Sequence, residues 1–176
     1  VDLCIAHCPD HGTALLTHRQ QRQRTAVGET FVGDVAVRLG RCPVRPMKPS
    51  DVIWMDGELV PWADAKVHVL THSLHYGNAV FEGVRAYATP DGPAILKLAD
   101  HVKRMFRSCR VVDIEVPFSQ ADIESAVVET IRRNGHASCY VRPLVFRGAG
   151  PLGVLPKGNP IQVSIATWEW ESLHAD

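Results

Sequence analysis

The stretch Thr71-His72-Ser73-Leu74-His75-Tyr76-Gly77-Asn78-Ala79-Val80-Phe81-Glu82-Gly83-Val84-Arg85-Ala86-Tyr87 constrains this chain more than any other part of it. It crowds two histidines, two tyrosines, a phenylalanine, an acid, an arginine and two glycines into one run, which is too rich in functional groups for plain core. Such a run reads as a turn feeding a strand, with Gly77 letting the backbone pass close to something and Gly83 marking a bulge or tight approach. If residues 80–87 are extended, Phe81, Gly83, Arg85 and Tyr87 share one face, and Val80, Glu82, Val84 and Ala86 share the other. The first face is an aromatic wall with a cation beside it. That combination suits a pocket for an amphiphilic small molecule.

The segments around this run have legible periods. Ile53-Trp54-Met55, then Asp56-Gly57, then Glu58-Leu59-Val60 reads as two short strands around a hairpin turn. Residues 66–70 look like a further extended piece. Thr89-Pro90-Asp91-Gly92 is a turn and residues 93–97 a returning strand. Val102, Met105, Phe106 and Cys109 recur at helical spacing, predicting a helix over 99–110 with Lys103, Arg107 and Arg110 outside its buried stripe. Ser119-Gln120-Ala121-Asp122 opens a second helix in capping-box fashion, with Ile123, Ala126, Val127, Thr130 and Ile131 as its apolar face up to Asn134-Gly135. Strands over 138–146 and 161–167 follow, joined by a loop dense in glycine and proline, and shaped loops of that kind tend to carry sites. Strands with grouped helices give an α+β class.

Composition shifts near Met47. Residues 1–46 hold six arginines and no lysine, and show no sustained helix or strand period. A metal cluster of Cys4, His7, Cys8 and His11, an arginine-rich targeting peptide and an unstructured extension compete here. The cluster spacing is too compressed for a familiar zinc motif, and a targeting peptide avoids the acids present. The expectation is a disordered or non-native extension, with Met47 as the natural start. With 176 residues and zero formal net charge, the chain has room for one modest domain plus a tail, and its balance gives no reason to expect nucleic acid or an anionic membrane as partner. No apolar run approaches a membrane span. Cys4, Cys8, Cys42, Cys109 and Cys139 form no CxxC pair and read as reduced thiols, which points to the cytoplasm.

Residues 52–170 carry a resemblance. Its motifs are Ile53-Trp54-Met55-Asp56-Gly57-Glu58, Ala65-Lys66-Val67-His68-Val69, Leu74-His75-Tyr76-Gly77, the run Val80-Phe81-Glu82-Gly83-Val84-Arg85-Ala86-Tyr87, His101-Val102-Lys103-Arg104, Tyr140-Val141-Arg142-Pro143-Leu144 and the glycine-rich loop ending at Pro156. Together they resemble the N-terminal domain of a branched-chain amino-acid aminotransferase, one of the fold-type IV pyridoxal-phosphate enzymes. His75-Tyr76-Gly77 alone would also fit D-amino-acid aminotransferases or aminodeoxychorismate lyases. Phe81-Glu82-Gly83 followed by Tyr140-Val141-Arg142-Pro143 is more specific to the branched-chain group.

The resemblance implies a small N-terminal domain, residues 47–170, with an antiparallel-rich sheet and two helices, and residues 171–176 as the start of a connection to a larger domain. It implies pyridoxal 5′-phosphate as cofactor, with Arg104 at the position that binds the phosphate, where a planar guanidinium can donate two charge-assisted hydrogen bonds. Without it, Arg104 is an ordinary helical surface arginine. Tyr76, Phe81 and Trp170 match aromatic walls of the substrate pocket, completed by Leu152 and Val154, with Gly83 beside them; core packing is the plain alternative. Tyr140 would help hold the substrate carboxylate, Arg142 would meet the second carboxylate of glutamate or 2-oxoglutarate, and Arg85 would support both. His68, His72 and His75 invite a metal reading that no carboxylate completes, and the resemblance assigns no metal. The catalytic lysine that anchors the cofactor is expected beyond this chain, because Lys48, Lys66, Lys97, Lys103 and Lys157 match no catalytic position. The expected activity is amino-group transfer between leucine, isoleucine or valine and 2-oxoglutarate in a dimer-based homo-oligomer. The alternative is a non-catalytic binding or dimerisation module.

Overall fold

A computed structural model describes residues 13–15, 38–40 and 47–169. The chain divides into two units, residues 1–46 and 47–176. In the first, β1 (Thr13–Leu15) pairs antiparallel with β2 (Arg38–Gly40), Thr13 opposite Gly40. The cysteine and histidine cluster at residues 4–11, Trp170 and the expected connection at 171–176 lie outside the described residues.

The second unit is built on a seven-stranded antiparallel sheet. Its strands are β3 (Val52–Met55), β4 (Glu58–Pro61), β5 (Ala79–Phe81), β6 (Val84–Thr89), β7 (Gly92–Ile95), β8 (Cys139–Arg147) and β9 (Ile161–Trp168). They lie in the order β4-β3-β9-β8-β6-β7, with β5 also on β8. Asp56 and Gly57 both take positive φ, 48° and 103°, as the two-residue β3–β4 hairpin requires. Helices α2 (Leu98–Val111) and α3 (Gln120–Arg133) bury the faces their periods predict: Val102, Met105 and Cys109 on α2, and Ile123, Ala126, Val127, Thr130 and Ile131 on α3. α3 opens with the expected capping box. The Asp122 amide donates to the Ser119 hydroxyl at 3.1 Å, and the Ser119 amide donates to the Asp122 carboxylate at 2.9 Å.

The core lies between these helices and one face of the sheet. Alternation along β8 and β9 sends Val141, Val145, Val163 and Ile165 inward, each fully buried, and such burial is worth about 1.5–3 kcal/mol per side chain. Cys109 and Cys139 are free thiols in this core, and burial pushes both up to about 11. No described helix is long and apolar enough to cross a membrane.

Two local expectations are corrected. Residues 66–70 form no strand: after a 3-10 turn at Trp62–Asp64 the backbone runs irregularly, with Val67, Val69 and Leu70 exposed and no strand beside them to pair with. The turn expected before β5 is a short helix, α1 (His72–Tyr76), stopped by Gly77 in the left-handed region at φ 68°.

α3 ends on Asn134, whose side chain joins three elements. Its Oδ1 accepts from the Val52 amide at 2.9 Å, and its Nδ2 donates to the Val52 carbonyl at 3.0 Å and to the Thr167 hydroxyl at 2.8 Å. Asn134→Ala removes all three bonds and is expected to lower unfolding free energy by about 2–3 kcal/mol, read from the urea midpoint. A shift smaller than a few tenths of a kcal/mol would show that water replaces the amide.

Candidate functional site

The strand pair facing β8 is interrupted where the site begins. β5 and β6 share one register on β8, with Phe81 opposite Leu144 and Val84 opposite Val141, so Glu82 faces Pro143. The Glu82 amide donates to the Pro143 carbonyl at 3.0 Å, but proline has no hydrogen to return, and the ladder lapses over Glu82-Gly83. The alternation survives the gap. Val80, Glu82, Val84 and Ala86 are buried, while Phe81 and Tyr87 are exposed and Arg85 is half-buried.

On the face away from the helices, register aligns Arg85, Tyr140 and Trp168 across three strands. Tyr140 and Trp168 pack with ring centroids 4.9 Å apart. The Arg142 guanidinium lies over the Phe81 ring at 4.3 Å and the Tyr140 ring at 5.2 Å, and its Nη2 donates to the Tyr140 hydroxyl at 2.9 Å. The Nε atoms of Arg85 and Arg142 are buried without a hydrogen-bond partner, and Arg85 covers Tyr87 at 5.5 Å. Gly83 is required here because a β-carbon would overlap the Tyr140 hydroxyl. Phe81, Gly83, Arg85, Tyr140 and Arg142 thus come together on one open surface, with Phe81 59% exposed.

Tyr76, Leu152 and Val154 belong to a second cluster, where α1 holds the loop over 148–156. The Tyr76 hydroxyl donates to the Leu152 carbonyl at 2.8 Å, and His72 Nε2 donates to the Gly153 carbonyl at 2.9 Å. His72 is fully buried and stacks on Tyr76 at 4.4 Å. The His72 amide reaches the Gly148 carbonyl at 3.1 Å, and the Arg147 amide donates to the Ser73 hydroxyl at 2.8 Å. Val154 is 81% exposed, so within this chain it walls nothing. Among the described residues no three His, Cys, Asp or Glu side chains gather to hold a metal ion. His72 is a loop anchor, while His68 and His75 are exposed and bond to backbone at the Leu70 amide and the Val69 carbonyl.

Arg104 stands apart, on the helix side of the sheet. Its Nε and Nη2 donate to the two carboxylate oxygens of Glu82, both at 2.7 Å, and His101 Nδ1 donates to the same carboxylate at 3.0 Å. Glu82 is 6% exposed, whereas the Arg104 side chain is 65% exposed. Hydrogen bonds from Arg104 hold the Glu82 carboxyl below the usual range, against the opposing effect of burial, with His101 adding to the lowering. Sequence reasoning assigned no role to Glu82 or His101, and weighed His72 only as a metal ligand. A carboxylate at an inward position of an apolar strand face was the available signal, because a buried charge demands a partner.

A separate cleft of about 190 Å³ is lined by Lys48, Ser50, Asp51, Asn134, His136 and Glu169. The Ser50 hydroxyl donates to the Thr167 carbonyl and lies 3.0 Å from His136 Nε2, so its hydrogen is committed to holding the chain against β9.

Residues 79–175 match the family Amino-transferase class IV, from β5 through β9 and past the last described residue. The chain belongs to this family. A branched-chain-amino-acid aminotransferase of Pseudomonas aeruginosa is 49% identical over 119 residues, 68% of this chain and 39% of the relative. That of Escherichia coli (strain K12) is 41% identical over 124 residues, 70% of this chain and 40% of the relative. The crystal structure of a T.th. branched-chain amino acid aminotransferase superposes with a TM-score of 0.67 at 52% identity, covering 69% of this chain and 41% of that one. These structural neighbours are fold-type IV aminotransferases, and this class IV chain has their α+β fold. It spans about two-fifths of the length of the relatives it matches.

The ion pair of this class IV aminotransferase chain has a pH signature. The carboxyl of Glu82 is lowered in the folded state, so its stabilisation is complete above the unfolded value near 4.5 and is lost as pH falls through the lowered folded value. The stability difference between wild type and Glu82→Gln should therefore be flat above about pH 5 and shrink below about 4.5. A difference that grows on acidification would contradict the pairing.

Proposed function

We propose that this chain is the small-domain half of a branched-chain amino-acid aminotransferase, which moves an amino group between leucine, isoleucine or valine and 2-oxoglutarate with pyridoxal 5′-phosphate. The observation that carries the reading is Arg142, a cation laid across Phe81 and bonded to Tyr140 on an aromatic surface that it shares with Arg85. One site built in this way can take an aliphatic side chain against Phe81 and Trp168, or a distal carboxylate against Arg142. Structures of the T.th. enzyme complexed with N-(5′-phosphopyridoxyl)-L-glutamate and with 4-methylvaleric acid, an acidic and a branched aliphatic ligand, support the same duality.

The residues present fit the cofactor. Arg104 offers an exposed guanidinium whose outer edge, Nη1 and Nη2, suits a phosphate. When bound, the cofactor supplies an electron sink for charge developing at the substrate α-carbon. The chain's own contribution is to hold the phosphate, orient the side chain and exclude water with Tyr76, Leu152 and Val154. Those apolar groups are exposed here, and a homo-oligomer that covers them fits the reading. Buried free thiols at Cys109 and Cys139 accord with work in the cytoplasm.

All five lysines of the sequence are exposed, whereas a lysine that anchors a cofactor covalently is activated by desolvation or a neighbouring cation. The 176 residues alone should therefore yield no glutamate from leucine and 2-oxoglutarate; lysine-dependent turnover in a chromatographic assay would refute this. In an enzyme completed by a large domain, Arg142→Ala should reduce kcat/KM with glutamate or 2-oxoglutarate by about tenfold to a hundredfold, the loss of one charged hydrogen-bond partner. The single-turnover reaction with leucine should change far less. Equal losses would assign Arg142 to the shared α-carboxylate or to structure.

A further inference from the structure

We infer that Glu82 is a positioning residue: its buried carboxylate fixes the guanidinium of Arg104 so that one edge of the fork is permanently presented to an anion. The inference rests on the phosphate reading of Arg104 and deepens it. Nothing in the sequence motifs assigned Glu82 a role, and the reasons for one are geometric.

Guanidinium has two edges able to make paired hydrogen bonds. Glu82 takes the Nε–Nη2 edge with two bonds of 2.7 Å. The rest of the guanidinium, Nη1 included, belongs to a side chain that is 65% exposed, with Nη2 also 3.3 Å from His101 Nδ1. The carboxylate cannot turn away. It projects from the point where Pro143 interrupts the ladder, its backbone amide is bonded to the Pro143 carbonyl, and His101, one helical turn before Arg104 on α2, donates to it from Nδ1. A buried acid is a costly way to join a strand to a helix, since apolar packing of similar volume does that as well or better. What it supplies beyond cohesion is orientation of an arginine that would otherwise sample many rotamers at the surface.

The charge of Glu82 acts in the opposite direction, because a carboxylate behind the arginine repels an arriving phosphate. Charge counting alone thus predicts that neutralising Glu82 tightens phosphate binding. The repulsion is weakened by the intervening guanidinium and by water at the exposed edge, while the lost rotamer freedom must be supplied at each binding event if the clamp is absent. The clamp outweighs the repulsion, and the two effects differ in sign, so a single variant separates them.

The test uses the 176-residue chain labelled with ¹⁵N, with pyridoxamine 5′-phosphate and pyridoxamine as probes; neither has an aldehyde to react with surface lysines. In the unliganded wild type the Arg104 Nε–H signal should exchange slowly with water, and Glu82→Gln should accelerate it by about tenfold or more. Titration should show that wild type prefers pyridoxamine 5′-phosphate over pyridoxamine, and that Glu82→Gln reduces this preference about threefold to tenfold. In an Arg104→Ala background the same substitution should add no further loss, which a general structural role would not reproduce. Arg104→Lys, which keeps the charge but cannot be gripped along one edge, provides a second route to the same loss should Glu82→Gln fold poorly. A preference unchanged or strengthened in Glu82→Gln, or retained in full by Arg104→Lys, overturns the positioning role and leaves the phosphate reading intact. Equal affinity of wild type for the two probes removes the phosphate reading of Arg104 and this inference with it.

Discussion

Pro143 sits in the middle of β8, a strand with partners on both sides, and has no hydrogen to give across the ladder. A proline is tolerated there because its ring nitrogen faces the one point where the neighbouring strand is interrupted, between Phe81 and Val84. The register resumes unchanged, so the gap does not shift side chains between faces. It frees two residues from the ladder while keeping their directions. Glu82 goes inward to Arg104 and His101; Gly83 lies under the hydroxyl of Tyr140. The two parts of the candidate site are thus neighbouring residues on opposite faces of one strand.

The arginines of the site are held by different physics. Arg142 is gripped through its flat faces by aromatic rings and bonded to a phenol, which restricts it without neutralising its charge. Arg104 is gripped along an edge by a carboxylate, which fixes its direction but offsets part of its charge. Arg147, also buried, binds neither ring nor acid: its guanidinium donates to the carbonyls of Asp113 and Pro156 and ties the glycine-rich loop to the end of α2. The first two guanidiniums keep part of their surface open, while the third is spent on backbone carbonyls.

Much of the domain was legible because its signals are local. The capping box at Ser119 and Asp122, the Asp56-Gly57 hairpin and the apolar stripes of both helices depend on spacings within a few residues. The extended reading of 66–70 failed because Val67 and Val69 alternate as a strand would, yet both are exposed and the segment pairs with no described strand. α1 was missed because five residues are too few to show a helical period.

The sequence by itself determined which residues alternate to which face from 80 to 87, and that Tyr140 and Arg142 share one, because side-chain direction in a strand follows from parity alone. It therefore placed Phe81, Gly83, Arg85, Tyr140 and Arg142 on two faces that could meet. Parity also kept Glu82 away from Arg85, but only the tertiary structure decided that the five residues do meet, through the pairing of Arg85 with Tyr140, and that Glu82 faces Arg104. Those contacts join residues 22 to 55 positions apart in the chain, and no local spacing encodes which helix will cover which strand. Partner choice for a buried carboxylate is settled by packing, and packing is a property of the assembled sheet and helices.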